Sequence, residues 1–241
     1  MDMSNQLRTT ETRTYRKRKR LADEQRTRAR IVDAAEDLHA TLGPARTSVS
    51  AIAERAGVTR ATVYRHFPDD DALFTACSAQ WMSRQRQPDP DTWMAQGDPF
   101  ARMHRGLADI YRYYRSGAEM LTLVHRDAQA VPPRVAARRL ATEQRWREVL
   151  LQPFPDRRRR IVGVAVGHAT AFSTWKSLCV SEGLTDTAAV DLMVSLVACA
   201  RGGNDRRDHQ DAGADPPTGA PAISSSMSAR CSRDTRPQCG P

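Results

Sequence analysis

Aromatic residues make up only 6% of the 241 residues, and no convincing stretch alternates apolar and polar side chains at period two. Strands favour aromatic and β-branched residues in such alternation, so little is left from which to build a sheet. Cysteines are few and scattered: Cys77, Cys179, Cys199, Cys231 and Cys239. An odd number without a close pair excludes a disulfide framework and a zinc-ribbon spacing, and points to a reducing, cytoplasmic setting. The most apolar run, Ile161 to Val166, is far short of the roughly 20 residues that cross a bilayer, and no membrane partner is expected. The N-terminus is polar and lacks the apolar core of a signal peptide. There is no Gly-rich phosphate loop and no G-x-S-x-G elbow. His168 and Cys179 fall on one predicted helix, where about 16 Å of rise would separate them and forbid a dyad. No His, Cys and carboxylate residues fall at metal-ligand spacing. Neither a metal nor a cofactor is expected, and an enzyme is disfavoured.

What is abundant is positive charge and helical pattern. Lys and Arg number 37 against 28 Asp and Glu, a net charge of +9, which favours a polyanionic partner. Arg16-Lys17-Arg18-Lys19-Arg20 sets five cations in a row. Residues 1–21 show no apolar periodicity and read as a disordered basic arm, able to meet phosphates. Residues 202–241, rich in Gly, Pro, Ser and Asp, read as a second disordered tail. Between them the pattern is helical throughout, predicting an all-α chain of about nine helices. Residues 22–83 form a first domain of short helices, and residues 84–201 a second domain of longer ones. The last two helices, near 156–182 and 186–201, are apolar around much of their circumference. A helix with two apolar faces needs two neighbours, and a second copy of the same pair would supply the outer one.

The most informative segment runs from Ser48 to Phe67. Val49, Ile52, Ala53 and Ala56 make one apolar stripe, with Ser48 placed to cap it. Gly57 permits the positive φ of a sharp turn, and Thr59 can cap a second helix whose inward positions are Val63 and Phe67. Pro68 ends that helix and Asp69 starts the next, with Asp70 and Asp71 in its first turn. This is the logic of a helix-turn-helix. Left outward on the second helix are Thr59, Arg60, Ala61, Thr62, Tyr64, Arg65 and His66, with no carboxylate among them. Such a face suits phosphates and base edges in a major groove. Arg60 is the best candidate for a base contact, because a guanidinium pairs bidentately with guanine. Ala61 lets the backbone approach, Thr59, Thr62, Tyr64 and His66 suit phosphate, and Ser48 offers its hydroxyl and free amides to another.

Residues 26–81 resemble the N-terminal domain of TetR-family regulators. The pattern stands as Arg30-Ile31-Val32-Asp33-Ala34-Ala35, Gly43, Thr47 to Ala53, Ala56-Gly57-Val58, Thr62-Val63-Tyr64, His66-Phe67 and Leu73. The resemblance implies a homodimer joined by its last two helices, a palindromic operator of double-stranded DNA, and repression more often than activation. It also implies a small-molecule effector in the second domain that tilts the fourth helix. One departure stands out: family members often carry Lys where this chain has Asp70, flanked by Asp69 and Asp71.

By the same resemblance, Tyr111, Tyr114, His125, Trp146, Phe172 and Trp175 are candidates to line the effector pocket. Aromatic residues at helical spacing suit a core equally well. Two other readings stay open on the sequence: a sequence-neutral architectural DNA-binding protein driven by charge, and an enzyme or carrier for a small apolar molecule.

Overall fold

The computed structural model describes residues 3–202, and these contain helices and no strand. In chain order the α-helices are α1 (Met3–Thr41), α2 (Val49–Ala56), α3 (Arg60–His66), α4 (Asp70–Arg84), α5 (Pro90–Met94) and α6 (Pro99–Ser116). They continue with α7 (Ala118–Arg126), α8 (Pro133–Leu151), α9 (Asp156–Ala169), α10 (Phe172–Trp175) and α11 (Asp186–Gly202). Short 3-10 turns at Pro44–Arg46 and Ala128–Ala130 join α1 to α2 and α7 to α8. The helix starts follow local chemistry. Ser48, Thr59, Asp69 and Asp98 each accept a backbone N–H from the first turn that follows. Pro90, Pro99 and Pro133 occupy first helical positions, where a missing N–H is harmless.

Two elements differ from expectation. The basic segment, expected to be disordered, is helical from Met3 and continuous with the packed part of α1. No Gly or Pro occurs before Gly43, so a helix nucleated by the packed residues from Ile31 onward meets no breaker. The absence of periodicity fits the exposure of Tyr15 through Ala22, which bury no stripe. The second difference is the helix expected near 156–182, which breaks at Thr170 into α9, α10 and a π-helical stretch, Lys176–Ser181. There the Ala169 and Thr170 carbonyls accept the hydroxyls of Tyr111 (2.9 Å) and Tyr114 (2.8 Å). This break and the separate short α5 make eleven helices of the nine expected. The tail expected at 202–241 lies outside the described residues beyond Gly202, which ends α11.

Two cores form. In the first, Ile31, Ala35 and Leu38 of α1 meet Ile52 and Ala53 of α2, Val63 and Phe67 of α3 and its end, and Leu73 and Cys77 of α4. The second gathers Leu107, Ile110 and Tyr111 of α6 with Leu150 of α8, Val162 and Val166 of α9, and Val190 of α11. A buried carboxylate is built into it. Asp109 accepts the Trp93 indole N–H at 2.8 Å and pairs with Arg112 at 2.6 Å. Burial would raise this carboxyl, but the two donors outweigh it and hold it below the ordinary value.

The turn between α2 and α3 depends on Gly57, at φ 63° and ψ 42°. Its amide donates to Glu54 O, while Arg30 reaches from α1 to the Ala56 and Gly57 carbonyls. A Cβ at Gly57 would stand 2.9 Å from the Arg30 guanidinium in a conformation that L side chains adopt at a cost. Gly57→Ala is therefore expected to lower stability by about 1–2 kcal/mol. Denaturant unfolding of the variant checks this, and an unchanged midpoint would contradict it.

Candidate functional site

The exposed face of α3 is set by two anchors. Val63 and Phe67 are buried to within 2% of full burial, and Arg28 of α1 lies over the Phe67 ring at 4.7 Å. A helix of seven residues cannot persist on its own, so these contacts fix its orientation. With them inside, Thr59, Arg60, Ala61, Tyr64 and Arg65 are exposed and Thr62 is half-buried. The Thr59 hydroxyl caps α3 through the Thr62 amide (3.2 Å) and bonds the Thr62 hydroxyl (3.0 Å). It is thus engaged with its own helix. Ser48 is exposed and accepts the Ala51 amide at 3.2 Å, which leaves its hydroxyl proton free to donate outward. His66 is half-buried, and its Nε2 is shielded without a hydrogen-bond partner among the described residues. That placement suits the phosphate role expected of His66 less well than it suits Tyr64 and Arg65.

The three carboxylates that follow are ordered by the helix they start. Asp69 caps α4 by accepting the Ala72 amide at 2.7 Å, and Asp70 and Asp71 occupy its first turn. All three are exposed. Negative charge here favours α4 and disfavours a phosphate at the same place.

Beyond the first core, α4 forms one wall of a cavity of about 380 Å³. Phe74, Cys77, Trp81 and Met82 of α4 face Met120, Leu121, Val124 and His125 of α7. Arg139, Glu143 and Trp146 of α8 close the far side, and Glu36 and His39 of α1 contribute the near one. Of the six residues expected to line a pocket, Tyr114, His125 and Trp146 do so. Tyr111, Phe172 and Trp175 stand in the core outside the wall. Tyr111 is engaged by the Ala169 carbonyl, Trp175 donates to Asp186 at 3.0 Å, and Phe172 stacks behind His125 with ring centroids 4.6 Å apart. Trp81, Tyr113, His39 and Arg139 were missed. Nothing in the pattern marks which of the neighbouring Tyr111, Tyr113 and Tyr114 of α6 turns toward the first domain.

The two lobes are also joined at their edge. Arg126 at the end of α7 donates to Leu42 O at 2.7 Å, and Asp127 accepts the Ala45 amide at 3.0 Å. The Arg126 guanidinium and that amide hold the Asp127 carboxyl down at about 2. Gly43, at φ 90°, lies beneath this clamp, and a Cβ there would overlap both side chains. On the other side of α1, Gln80 and Arg84 of α4 bond Glu36, each at 2.8 Å.

Residues 31–77 match the family model described as "Bacterial regulatory proteins, tetR family". Over those residues the chain carries the N-terminal domain of the TetR family of transcriptional regulators. Solved structures share its fold. A TetR-like transcriptional regulator from Rhodococcus sp. RHA1 is 22% identical, with a TM-score of 0.53 over 74% of this chain and 97% of that one. NalD, described as the secondary repressor of the MexAB-OprM multidrug efflux pump in Pseudomonas aeruginosa, is 20% identical, with a TM-score of 0.52 over 74% and 97%. A tetR-family regulator from Streptomyces coelicolor is 18% identical, with a TM-score of 0.50 over 76% and 86%. Comparison with curated protein sequences returns no match. Members of the TetR family are DNA-binding transcriptional regulators, and the matched residues include the helix-turn-helix of α2 and α3. Among the described residues no helix is long and apolar enough to cross a membrane.

Two histidines of the cavity wall are held neutral. Burial lowers His39 to about 4, and burial together with the Arg139 and Lys176 charges lowers His125 to about 4. Unfolded, both would titrate near 6.5. Between pH 6.5 and 4 the unfolded chain therefore binds more protons, and stability falls as pH drops through that window. Urea unfolding from pH 7 down to pH 4 should show the midpoint falling, with a shallower fall in His39→Leu. Equal slopes in the two proteins would contradict the burial of a neutral His39.

Proposed function

We propose that this chain is a homodimeric TetR-family repressor that grips a palindromic operator through two copies of α3 and releases it when a small molecule fills the cavity beside α4. The observation that carries the DNA contact is the exposed, carboxylate-free surface of Arg60, Ala61, Tyr64 and Arg65, opposite buried Val63 and Phe67. Arg60 lies at the N-terminal turn of α3, the part of a recognition helix that reads base edges. Tyr64, Arg65 and the Ser48 hydroxyl hold phosphates on either side. The exposed cations on the N-terminal half of α1 add a sequence-neutral attraction that offsets the Asp69–Asp71 cluster.

Pairing of two chains is supported by apolar side chains left in water. Ile161 and Val164 of α9 and Leu192 and Leu196 of α11 are at least 40% exposed in the single chain, on helices that pack against each other. Covering these faces with a second copy gives a four-helix interface. Release is supported by the placement of the cavity. Only Phe67, Pro68 and Asp69 separate α3 from α4, so a molecule that displaces α4 shifts α3 as well. Such a molecule must favour the non-binding arrangement. The NalD relative is described as a repressor, which favours the same sign of control here.

Selection of bound duplexes from a random pool tests the proposal. The expected product is one near-palindromic site with half-sites about one helical turn apart, preferred by at least about a thousandfold over random DNA. Arg60→Ala should weaken binding by about 1–3 kcal/mol and relax preference at one position of each half-site. A pool that stays random would favour an architectural role instead.

A further inference from the structure

The cavity wall carries a guanidinium whose hydrogen bonds are not met. Arg139 lies on α8 inside the wall, and its Nε and Nη1 are shielded from solvent with no hydrogen-bond acceptor among the described residues. Glu143 is one turn along, but its Oε1 stands 3.7 Å from Nε, close enough for Coulomb attraction and too far for a hydrogen bond. Burial raises the Glu143 carboxyl, and the nearby Arg139 and Arg147 charges lower it in part. A shielded guanidinium with unmet donors is unfavourable until an acceptor arrives.

The surroundings define the acceptor. The guanidinium groups of Arg134 and Arg138, both exposed residues, also line the cavity from α8 and make no hydrogen bond or ion pair among the described residues. Of the two carboxylates in the wall, Glu36 is already paired with Arg84 and Gln80. That leaves three guanidinium groups and only Glu143 to oppose them. The rest of the lining is apolar and ring-rich. Trp81 meets Tyr113, and Tyr113 meets Trp146, each edge-on with centroids 6.0 Å apart. A volume of about 380 Å³ lies at the lower end of the range for sites that enclose one drug-sized molecule.

The geometry points to a small organic anion as the occupant: a ring-sized apolar body against Trp81, Tyr113 and Trp146, with a carboxylate or sulfonate accepting from Arg139. This rests on the reading of the cavity as the effector site, and it assigns the effector's chemical class. The anion supplies the hydrogen-bond acceptor that Glu143, at 3.7 Å, does not, while Arg134 and Arg138 favour its approach.

Two fluorescent probes of nearly equal shape separate the charge from the body: anilinonaphthalene sulfonate and its uncharged counterpart, phenylnaphthylamine. Titrated into the full chain without DNA, the sulfonate should bind more tightly. Arg139→Gln should weaken the sulfonate by at least about tenfold, the factor of one charge-assisted hydrogen bond, and leave the neutral probe within about twofold. Arg139→Lys should recover part of the loss. Glu143→Gln removes the competing carboxylate and should tighten the sulfonate, which keeps the proposal open to refutation even if Arg139→Gln fails to fold. Equal affinity of the two probes, or a Glu143→Gln variant that loses the sulfonate, would overturn it. The same titration repeated on the chain bound to its selected duplex is read separately. Probe binding that follows these changes without releasing DNA would overturn the effector reading and leave the assigned class standing.

Discussion

The burial of Val63 and Phe67 is the contact on which the rest depends. A two-turn helix has no stability of its own, and only Val63 and the capping Phe67 are buried in the core. Their packing against α1, α2 and α4 decides which face of α3 is left for solvent. It also ties the start of α4 to the end of α3, because Phe67 is both the last anchor of one helix and the lead into the next. The same α4 turns Leu73 and Cys77 toward the first core and Phe74 and Trp81 toward the cavity. One helix thus serves two surfaces, and the exposed face of α3 cannot be repositioned without the cavity side.

The clamp at Arg126 and Asp127 gives that coupling a second anchor. His125 lies in the cavity wall, and the next two residues grip the loop that leads into α2. A guest that displaces α7 therefore pulls on the helix-turn-helix from the opposite edge. With Gln80 and Arg84 bonded to Glu36, charged contacts flank the cavity at α1 and at the loop that follows it. Rigid contacts of this kind convert a small displacement into a change of arrangement, not a diffuse relaxation.

Local chemistry was the legible part of the sequence. Ser48, Gly57, Thr59 and Asp69 each act at the position their side chains favour, because caps and tight turns are decided within four residues. Val63 and Phe67 were legible for the same reason: the spacing of four places both on one helix face. What failed was local too, in the opposite sense. The basic segment from Tyr15 to Ala22 is exposed and carries no stripe, and an exposed helix looks like a coil to a periodicity argument. The break at Thr170 was invisible because its cause lies in Tyr111 and Tyr114, more than fifty residues away. Those two hydroxyls also explain why aromatic content misled the choice of pocket residues. Tyr111 serves the helix break, and the wall is completed by Trp81 and Arg139, which only the meeting of α4 with α8 brings together.

The central claim is that the face opposite Val63 and Phe67 enters the groove of DNA. Amide hydrogen exchange, with and without the selected duplex, tests it most directly. The account predicts slowed exchange concentrated at residues 48–51 and 59–66, with the second core little changed. Protection confined to the basic half of α1, with α3 exchanging as it does in the free protein, would contradict it.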